Sequence, residues 1–188
     1  MYFRDSDQKE NNFILSLKSN FNVEDKGNAH WFLGMRIHRY KDGSHTIDQN
    51  RFTNTIIAKV CPKEAPWGIP KFRDTPAPLD YSASKSNRPK TDEDRNKLET
   101  KYKSLHFASA VCTLLYLALG TIPDIMWIIS KLSKACREPG EKDYEALLWT
   151  LGYLRAHKSL AIKFYAKPEE SEVHKICIDN KKEMTEIT

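Results

Sequence analysis

The chain has 188 residues, a formal net charge of +5 and 29% charged residues, with a mean hydropathy of −0.62. This length allows one domain with a sizeable core, or parts of two domains. The basic balance permits nucleic-acid or acidic partners without requiring them, and the low hydropathy argues against an integral membrane protein.

The most apolar segment and the cysteines narrow the class of protein further. Residues 114–134 are the most apolar part of the chain, but Gly120, Pro123 and Asp124 interrupt them, so we expect no membrane-spanning helix and no membrane partner. No signal-peptide pattern follows Met1. The cysteines lie too far apart for a zinc or redox pair, so we expect reduced, mostly buried thiols in the cytoplasm or the nucleus.

Changes of hydrophobic period predict the first elements. Phe13, Leu17 and Phe21 recur at four-residue spacing, which predicts an amphipathic helix over 11–20. From Trp31 the period becomes two, which predicts a strand with alternating faces, Leu33, Met35 and Ile37 on one and Phe32, Gly34, Arg36 and His38 on the other. A turn at 41–44 predicts a hairpin with a second strand at 46–49, followed by a short helix.

The middle of the chain changes from proline-rich to helical. Scattered prolines over 62–90 predict an extended or poorly ordered connector. Thr91 and Asp94 form a predicted capping box. From there an apolar stripe that includes Leu98 and Tyr102 predicts helix up to Leu119.

The motif Gly-Thr-Ile-Pro-Asp at 120–124 predicts a corner between helices. Gly120 is expected to end one helix in the left-handed conformation, and Thr121 with Asp124 to cap the next, whose first turn holds Pro123. A corner without chemistry is a sufficient explanation of this motif. The remaining pattern predicts an amphipathic helix after Gly140 and a strand at 160–164.

Few residues occur in a pattern that is typical of catalytic sites. The chain has no H-E-x-x-H spacing, no Gly-rich phosphate loop and no Cys/His cluster. Asp5 and Asp7 have a spacing that can hold a divalent cation, but solvated acids near a chain terminus explain them better. We therefore predict no catalytic residue and no metal ligand.

Basic residues are the remaining candidates for function. Arg36 lies on the polar face of the first predicted strand, and others lie near predicted helix ends: Lys131, Lys134, Arg155 and Lys158. Together they can line the phosphates of a nucleic acid. Cations near helix C-termini also offset the helix dipole, which explains the same residues without a ligand.

A specific order of motifs runs over residues 11–165. It comprises "FNVEDKGNAHWFLGMRIHRYKDGSHTIDQNRF", "TPAPL", "YKSLHFASAVCTLLYLALGTIPDI" and "ALLWTLGYLRAHKSLAIKFY". Each motif is weak alone, but the spaced combination resembles the copia-type reverse transcriptases of LTR retrotransposons. The resemblance implies an α+β fold, with a palm-derived β-hairpin, a mainly helical thumb-like bundle and a terminal strand.

The resemblance also divides the chain and assigns its candidate site. It implies the end of the palm with a primer-grip-like hairpin (1–50), a short helix (51–61), the Pro-rich connector (62–90), a thumb-like bundle (91–158), and a strand with a charged tail leading toward an RNase H domain (159–188). The implied nucleic-acid-binding residues are Leu33, Gly34, Met35, Arg36, Lys131, Lys134, Arg155 and Lys158.

The resemblance also implies what to expect of polymerase activity. The chain has no Asp-Asp dipeptide, so the family's Tyr-x-Asp-Asp pair and its Mg²⁺ ions are expected to belong to palm residues outside it. We expect no cofactor and no activity alone. The expected partners are an RNA/DNA primer–template duplex and the remainder of the Pol polyprotein. A non-enzymatic helical protein-interaction module is the alternative, and one piece of a split, active polymerase is another.

Three positions depart from the family pattern. Lys26 replaces a common leucine, Cys112 a glycine and Ile122 an arginine. The resemblance implies that Cys112 crowds a facing helix and that Ile122 marks the loss of a phosphate contact or ion pair. Both changes fit a decaying copy of an element.

Overall fold

A computed structural model describes residues 7–24, 27–62, 65–103 and 105–166, with side chains from residue 11 onward. Its helices are α1 (Asp7–Asn20), α2 (Asn50–Val60), α3 (Asp92–Lys101), α4 (Phe107–Gly120), α5 (Met126–Leu132) and α6 (Glu141–Ala156). Its strands are β1 (Trp31–Phe32), β2 (Met35–Arg39), β3 (His45–Asp48) and β4 (Ala161–Phe164). The predicted α+β class is confirmed. The charged tail beyond residue 166, Lys26 and Asp5 lie outside the described residues.

The chain divides into two units, residues 1–30 and 31–188. The first unit contains α1, which confirms the predicted helix and begins earlier, at Asp7. Large apolar side chains remain exposed here, at 49% for Phe13, 65% for Leu15 and 66% for Phe21. Helix α1 therefore buries little of the apolar stripe that predicted it.

The second unit begins with an antiparallel sheet in the order β1-β2-β3-β4. The prediction of one continuous strand from Trp31 is wrong, because Leu33 and Gly34 form a two-residue turn between β1 and β2. Phe32 consequently pairs with Met35 and shares its face, whereas uninterrupted alternation would place them on opposite faces. The alternation does hold within β2.

The other sheet connections agree better with the sequence pattern. The predicted turn at 41–44 is confirmed, and the Ser44 hydroxyl and amide donate to Asp42 Oδ1 at 2.7 and 2.9 Å. These hydrogen bonds lower the pKa of the Asp42 carboxyl. Strand β4 forms where the sequence predicts it and pairs with β3, placing Ile162 opposite Ile47.

The core of the second unit lies among α4, α5 and α6. Side chains with 0% exposure come from all three helices and from the link between α4 and α5: Leu114, Leu117, Ile125, Ile128, Ile129, Leu132, Leu147, Leu151 and Leu154. Helix α2 adds Ile56 and Ile57. The stripes that predicted these helices therefore mark a real core.

A break between α3 and α4 differs from the sequence prediction. The predicted helix is not continuous up to Leu119, since α3 ends at Lys101, α4 begins at Phe107, and the described residues of the link between them are not helical. The Thr91 cap of α3 is confirmed, with its hydroxyl accepting from the Asp94 amide at 3.1 Å. Tyr102 in the link stacks on Tyr144 of α6, with ring centroids 4.2 Å apart. Aromatic packing therefore attaches Tyr102, just beyond the end of α3, to α6.

The corner between α4 and α5 is built differently from its prediction. Gly120 does not have a positive φ, and Thr121 does not cap the next helix. Instead, a Cβ on Gly120 would lie 2.1 Å from Gln49 Oε1, and the Thr121 hydroxyl donates to that same oxygen at 3.0 Å. Pro123, predicted in the first turn of the next helix, begins a short 3-10 turn that directly precedes α5. The corner is thus organised around the buried Gln49 side chain.

The Pro-rich connector is mostly irregular, as predicted, but its central part packs on α6. Trp149 Nε1 donates to the Thr75 carbonyl at 2.9 Å, and Thr150 Oγ1 donates to the Pro76 carbonyl at 3.0 Å. The Arg73 guanidinium lies 3.7 Å from the Trp149 ring centroid. This part of the connector follows a defined path along the helix.

The departures at Cys112 and Ile122 have structural consequences opposite to those expected. Cys112 is exposed, so the expected crowding against a facing helix is wrong. Ile122 is only 2% exposed and belongs to the hydrophobic core, so an arginine there would not lie at a surface. Cys61 is half-buried, and burial raises its pKa to about 11, although Arg155 opposes the shift.

Candidate nucleic-acid interface

The tip of the β1–β2 hairpin is the most unusual backbone in the second unit. Leu33 and Gly34 have φ angles of +48° and +74°, the arrangement of a type I′ turn. Glycine adopts this conformation easily, but a branched residue such as Leu33 rarely does. Leu33 is nevertheless 68% exposed, so burial of its side chain does not explain the strain.

A tyrosine from α4 fixes this tip. Tyr116 donates its hydroxyl to the Leu33 carbonyl, and its ring meets Phe52 of α2 edge to face at 5.2 Å. The turn is therefore fixed to two helices although its apolar side chains remain exposed. Trp31 and Phe32, which lead into the turn, are 50% and 61% exposed.

Arg36 is held on the sheet by a buried carboxylate. Arg36 Nε lies 3.2 Å and His38 Nε2 3.1 Å from Asp48 Oδ2, while Asp48 Oδ1 accepts from the Asn50 amide at 3.0 Å. Asp48 is 3% exposed, whereas the Arg36 side chain is 44% exposed. The contact uses Nε, which leaves the terminal guanidinium nitrogens available to a ligand.

The predicted lysines at the end of α5 lie near one another in sequence but have different surroundings. Lys131 Nζ lies 5.6 Å from the ring centroid of Trp127, which is 53% exposed. Lys134 is exposed and lies in the 3-10 turn Ser133–Ala135, where it borders a cavity. Both retain the accessibility that a phosphate contact requires.

The predicted basic residues at the end of α6 have different contacts. Arg155 donates to the Pro70 carbonyl and lies 4.8 Å from the Phe72 ring centroid, so it fastens the connector. Lys158 follows the helix and is exposed. Nearby, Tyr153 donates to Asp124 Oδ2 at 2.7 Å, and burial together with that bond raises the pKa of Tyr153 to about 12.

The predicted site residues thus occupy separate places. The hairpin brings together Leu33, Gly34, Met35 and Arg36. The other candidates lie at the ends of two helices, Lys131 and Lys134 in and just after α5, and Arg155 and Lys158 in and just after α6. Sequence analysis missed Tyr116 and Asp48, which fix the hairpin tip and Arg36. The common face of Arg36 and His38 was the available signal, since it calls for a counterion on a neighbouring strand.

The described side chains do not form a magnesium site. Among those residues, no group of three or more His, Cys, Asp or Glu side chains is arranged to hold a metal ion. Asp5 and the side chain of Asp7 lie outside them. The described helices also include none that is long and apolar enough to cross a bilayer.

Comparison with known proteins places the chain near transposon proteins. It is 29% identical over 140 residues to the retrovirus-related Pol polyprotein from transposon TNT 1-94 of Nicotiana tabacum. It is 29% identical over 143 residues to the corresponding polyprotein from transposon RE1 of Arabidopsis thaliana. Both of these relatives are retrovirus-related Pol polyproteins from transposons. An uncharacterized mitochondrial protein of Arabidopsis thaliana is 28% identical over 145 residues.

These matches cover most of this chain but only part of each relative. They include 74%, 76% and 77% of the chain for TNT 1-94, RE1 and the mitochondrial protein, respectively. The chain spans 10% of the TNT 1-94 polyprotein, 9% of the RE1 polyprotein and 53% of the mitochondrial protein. No family model and no solved structure matches the chain.

Proposed function

We propose that residues 31–166 are the primer-grip hairpin and thumb of a copia-type reverse transcriptase, and that they hold a primer–template duplex through its phosphates. The hairpin tip carries this proposal. Its backbone is strained at Leu33, exposed, and fixed by Tyr116. Strained backbone that its surroundings hold in place is typical of functional sites.

The chemistry around the tip supports a phosphate ligand. Arg36 presents a half-exposed guanidinium whose position is set by Asp48. Guanidinium groups suit phosphate because their planar donors can bind two oxygens at once. Contacts of this kind position a duplex without reading its bases.

We assign polymerisation itself to palm residues outside the described part of the chain. We therefore expect the purified chain to extend no primer with Mg²⁺ or Mn²⁺. Incorporation above the blank that disappears when Asp5 and Asp7 are replaced would contradict this expectation. The expected role of the chain is to bind and orient nucleic acid.

Duplex binding and its salt dependence test the proposal. Fluorescence anisotropy with a labelled RNA/DNA duplex should show weak, sequence-independent binding that falls steeply between about 50 and 200 mM salt. Arg36→Ala should weaken binding by roughly tenfold, as expected when one charge-assisted hydrogen bond is removed. Lys59→Ala, which removes an exposed positive charge from α2, is the matched control and should have little effect.

A non-enzymatic interaction module is the second candidate, and one observation favours it. Large apolar side chains are exposed on the hairpin and on α4, at 61% for Phe32, 68% for Leu33 and 70% for Leu119. Exposed apolar surface of this kind is common at protein interfaces. Affinity for duplex that stays level as salt rises, or is unchanged by Arg36→Ala, would support this candidate against the proposed primer–template binding.

A further inference from the structure

A cavity lies between the connector and the segment that follows α5. Its volume is about 220 Å³, and its lining includes Ser84, Lys85, Arg88, Lys134 and Asp143. A single water needs roughly 10–15 Å³ of such volume. The cavity is therefore large enough for a ligand bigger than water.

The cationic side chains of the cavity come from separate parts of the chain. Lys85 and Arg88 belong to the connector, whereas Lys134 follows α5. Across the described ranges neither lysine has an ion-pair partner. Two lysines that border the same cavity without an ion-pair partner favour an anionic ligand.

The remaining cation, Arg88, is only loosely neutralised. Its Nη1 lies 3.9 Å from Glu138 Oε2, while Arg95 holds the other Glu138 oxygen at 2.8 Å. The Arg88 side chain is 41% exposed. It therefore retains donors for a ligand in the cavity.

The one acidic residue of the lining is already satisfied by protein donors. Asp143 is 1% exposed and accepts from the Tyr81 hydroxyl at 2.7 Å, the Gly140 amide at 2.9 Å and Asn87 Nδ2 at 3.3 Å. Asn87 ends the 3-10 turn Lys85–Asn87. Asp143 thus holds the turn that carries Lys85.

Ser84 adds a neutral donor. Its Oγ accepts from the Ser86 amide at 3.2 Å and from the Ser86 hydroxyl at 3.0 Å. Because both lone pairs are used, its own proton is available to a ligand. Ammonium, guanidinium and hydroxyl groups all donate hydrogen bonds to anionic oxygens, so donors of these types around one space suit an oxyanion such as phosphate.

We propose that this cavity binds a phosphate group through Ser84, Lys85, Arg88 and Lys134. The phosphate belongs to a nucleic-acid backbone or to a small phosphorylated molecule. The first source rests on the proposed function, because it extends the duplex contact to a surface away from the hairpin. The second source stands without it.

Binding of inorganic phosphate tests the site itself. Titration followed by amide NMR should shift the signals of Ser84, Lys85 and Ser86. Lys85→Ala/Lys134→Ala should weaken phosphate binding about tenfold or more, a loss of about 1.4 kcal/mol or more. The control Lys59→Ala/Lys103→Ala removes the same charge from other exposed positions and should bind as the parent does. Equal unfolding midpoints will show that all variants are folded.

Binding of the duplex then identifies the source of the phosphate. If the phosphate belongs to a nucleic-acid backbone, the double variant should also bind duplex more weakly. The slope of its duplex affinity against salt concentration, on logarithmic scales, should then fall by about one for each phosphate that the variant no longer binds. Local phosphate binding with unchanged duplex affinity would support the site and assign it to a small molecule. The site would be overturned if phosphate caused no local shifts, or if the control variant lost as much phosphate affinity as the double variant. If the parent chain does not bind duplex, only the proposed function is overturned.

Discussion

The tip of the first hairpin and the corner between α4 and α5 are both marked by a glycine, but they need it for different reasons. Gly34 has a φ of +74°, and a Cβ there would meet only the Tyr116 hydroxyl at 3.6 Å. Gly120 has no such φ, and a Cβ there would meet buried Gln49 at 2.1 Å. Backbone conformation requires the first glycine, and lack of space requires the second.

The two glycines indicate different roles for the hairpin tip and the corner. The hairpin tip accepts strain and exposure together, as a surface that meets a ligand does. At the corner, by contrast, Gln49, Thr121 and Ile122 are each only 2% exposed, so these side chains face the interior of the protein. Substitutions at the corner should therefore change stability, and substitutions at the tip should act mainly on local conformation and binding.

Ile122→Arg gives the largest expected effect. The side chain would enter the core at a position only 2% exposed, with no polar partner built for it. We expect the free energy of unfolding to fall by about 3–5 kcal/mol, as for an uncompensated buried charge. Denaturation with urea measures the loss. Leu119→Arg at a 70% exposed position is the control, and equal midpoints for the two variants would contradict the buried corner.

Gly120→Ala should have the next largest effect. Crowding against Gln49 should lower the free energy of unfolding by about 1–3 kcal/mol. In a double-mutant cycle, Gln49→Ala should make the Gly120→Ala loss smaller, because it removes the side chain that clashes. Gly34→Ala is the comparison, and its loss should be unaffected by Gln49→Ala. If the losses of unfolding free energy from the Gly120 and Gln49 substitutions are additive, crowding against Gln49 is not the reason for a glycine at position 120.

Leu33→Asn should have the smallest effect, and it should be favourable. Asn tolerates a φ of +48° far better than leucine, and Asn-Gly is the preferred sequence of a type I′ turn. We expect a gain of roughly 0.5–1 kcal/mol in the free energy of unfolding, below the full penalty of left-handed backbone. Calorimetry of the variant and of Phe32→Asn measures it. A lower midpoint for Leu33→Asn would mean that packing of Leu33 outweighs its strain.

The sequence predicts the elements of the fold well and their breaks poorly. Hydrophobic period locates α1, α2, α4 and α6, because burial of one face leaves a clear stripe. It misses the Leu33 turn, because the alternation of apolar residues continues through it and leucine is not a turn residue. It also misses the end of α3, where Tyr102 packs as part of the stripe without being helical.

The candidate site is less accessible to sequence reasoning than the fold. Arg36 and Lys134 are visible as exposed cations, but their surroundings depend on residues far away in the chain. Asp48 comes from the next strand, and Lys85 reaches the same cavity as Lys134 through the path of the connector. The path that brings Lys85 and Lys134 to one cavity leaves no local pattern, since hydrophobic period and helix capping report only on neighbours within a few residues.

Strand β4 has a consequence for the order in which the sheet assembles. The β1–β2 and β2–β3 pairs close through short turns, whereas β4 reaches β3 only after everything from α2 to α6 has intervened. Long loops are slow to close, because the entropy is lost before the contacts form. Refolding should therefore protect the β2 and β3 hairpin amides from exchange first, and the β4 amides only once the helices have packed.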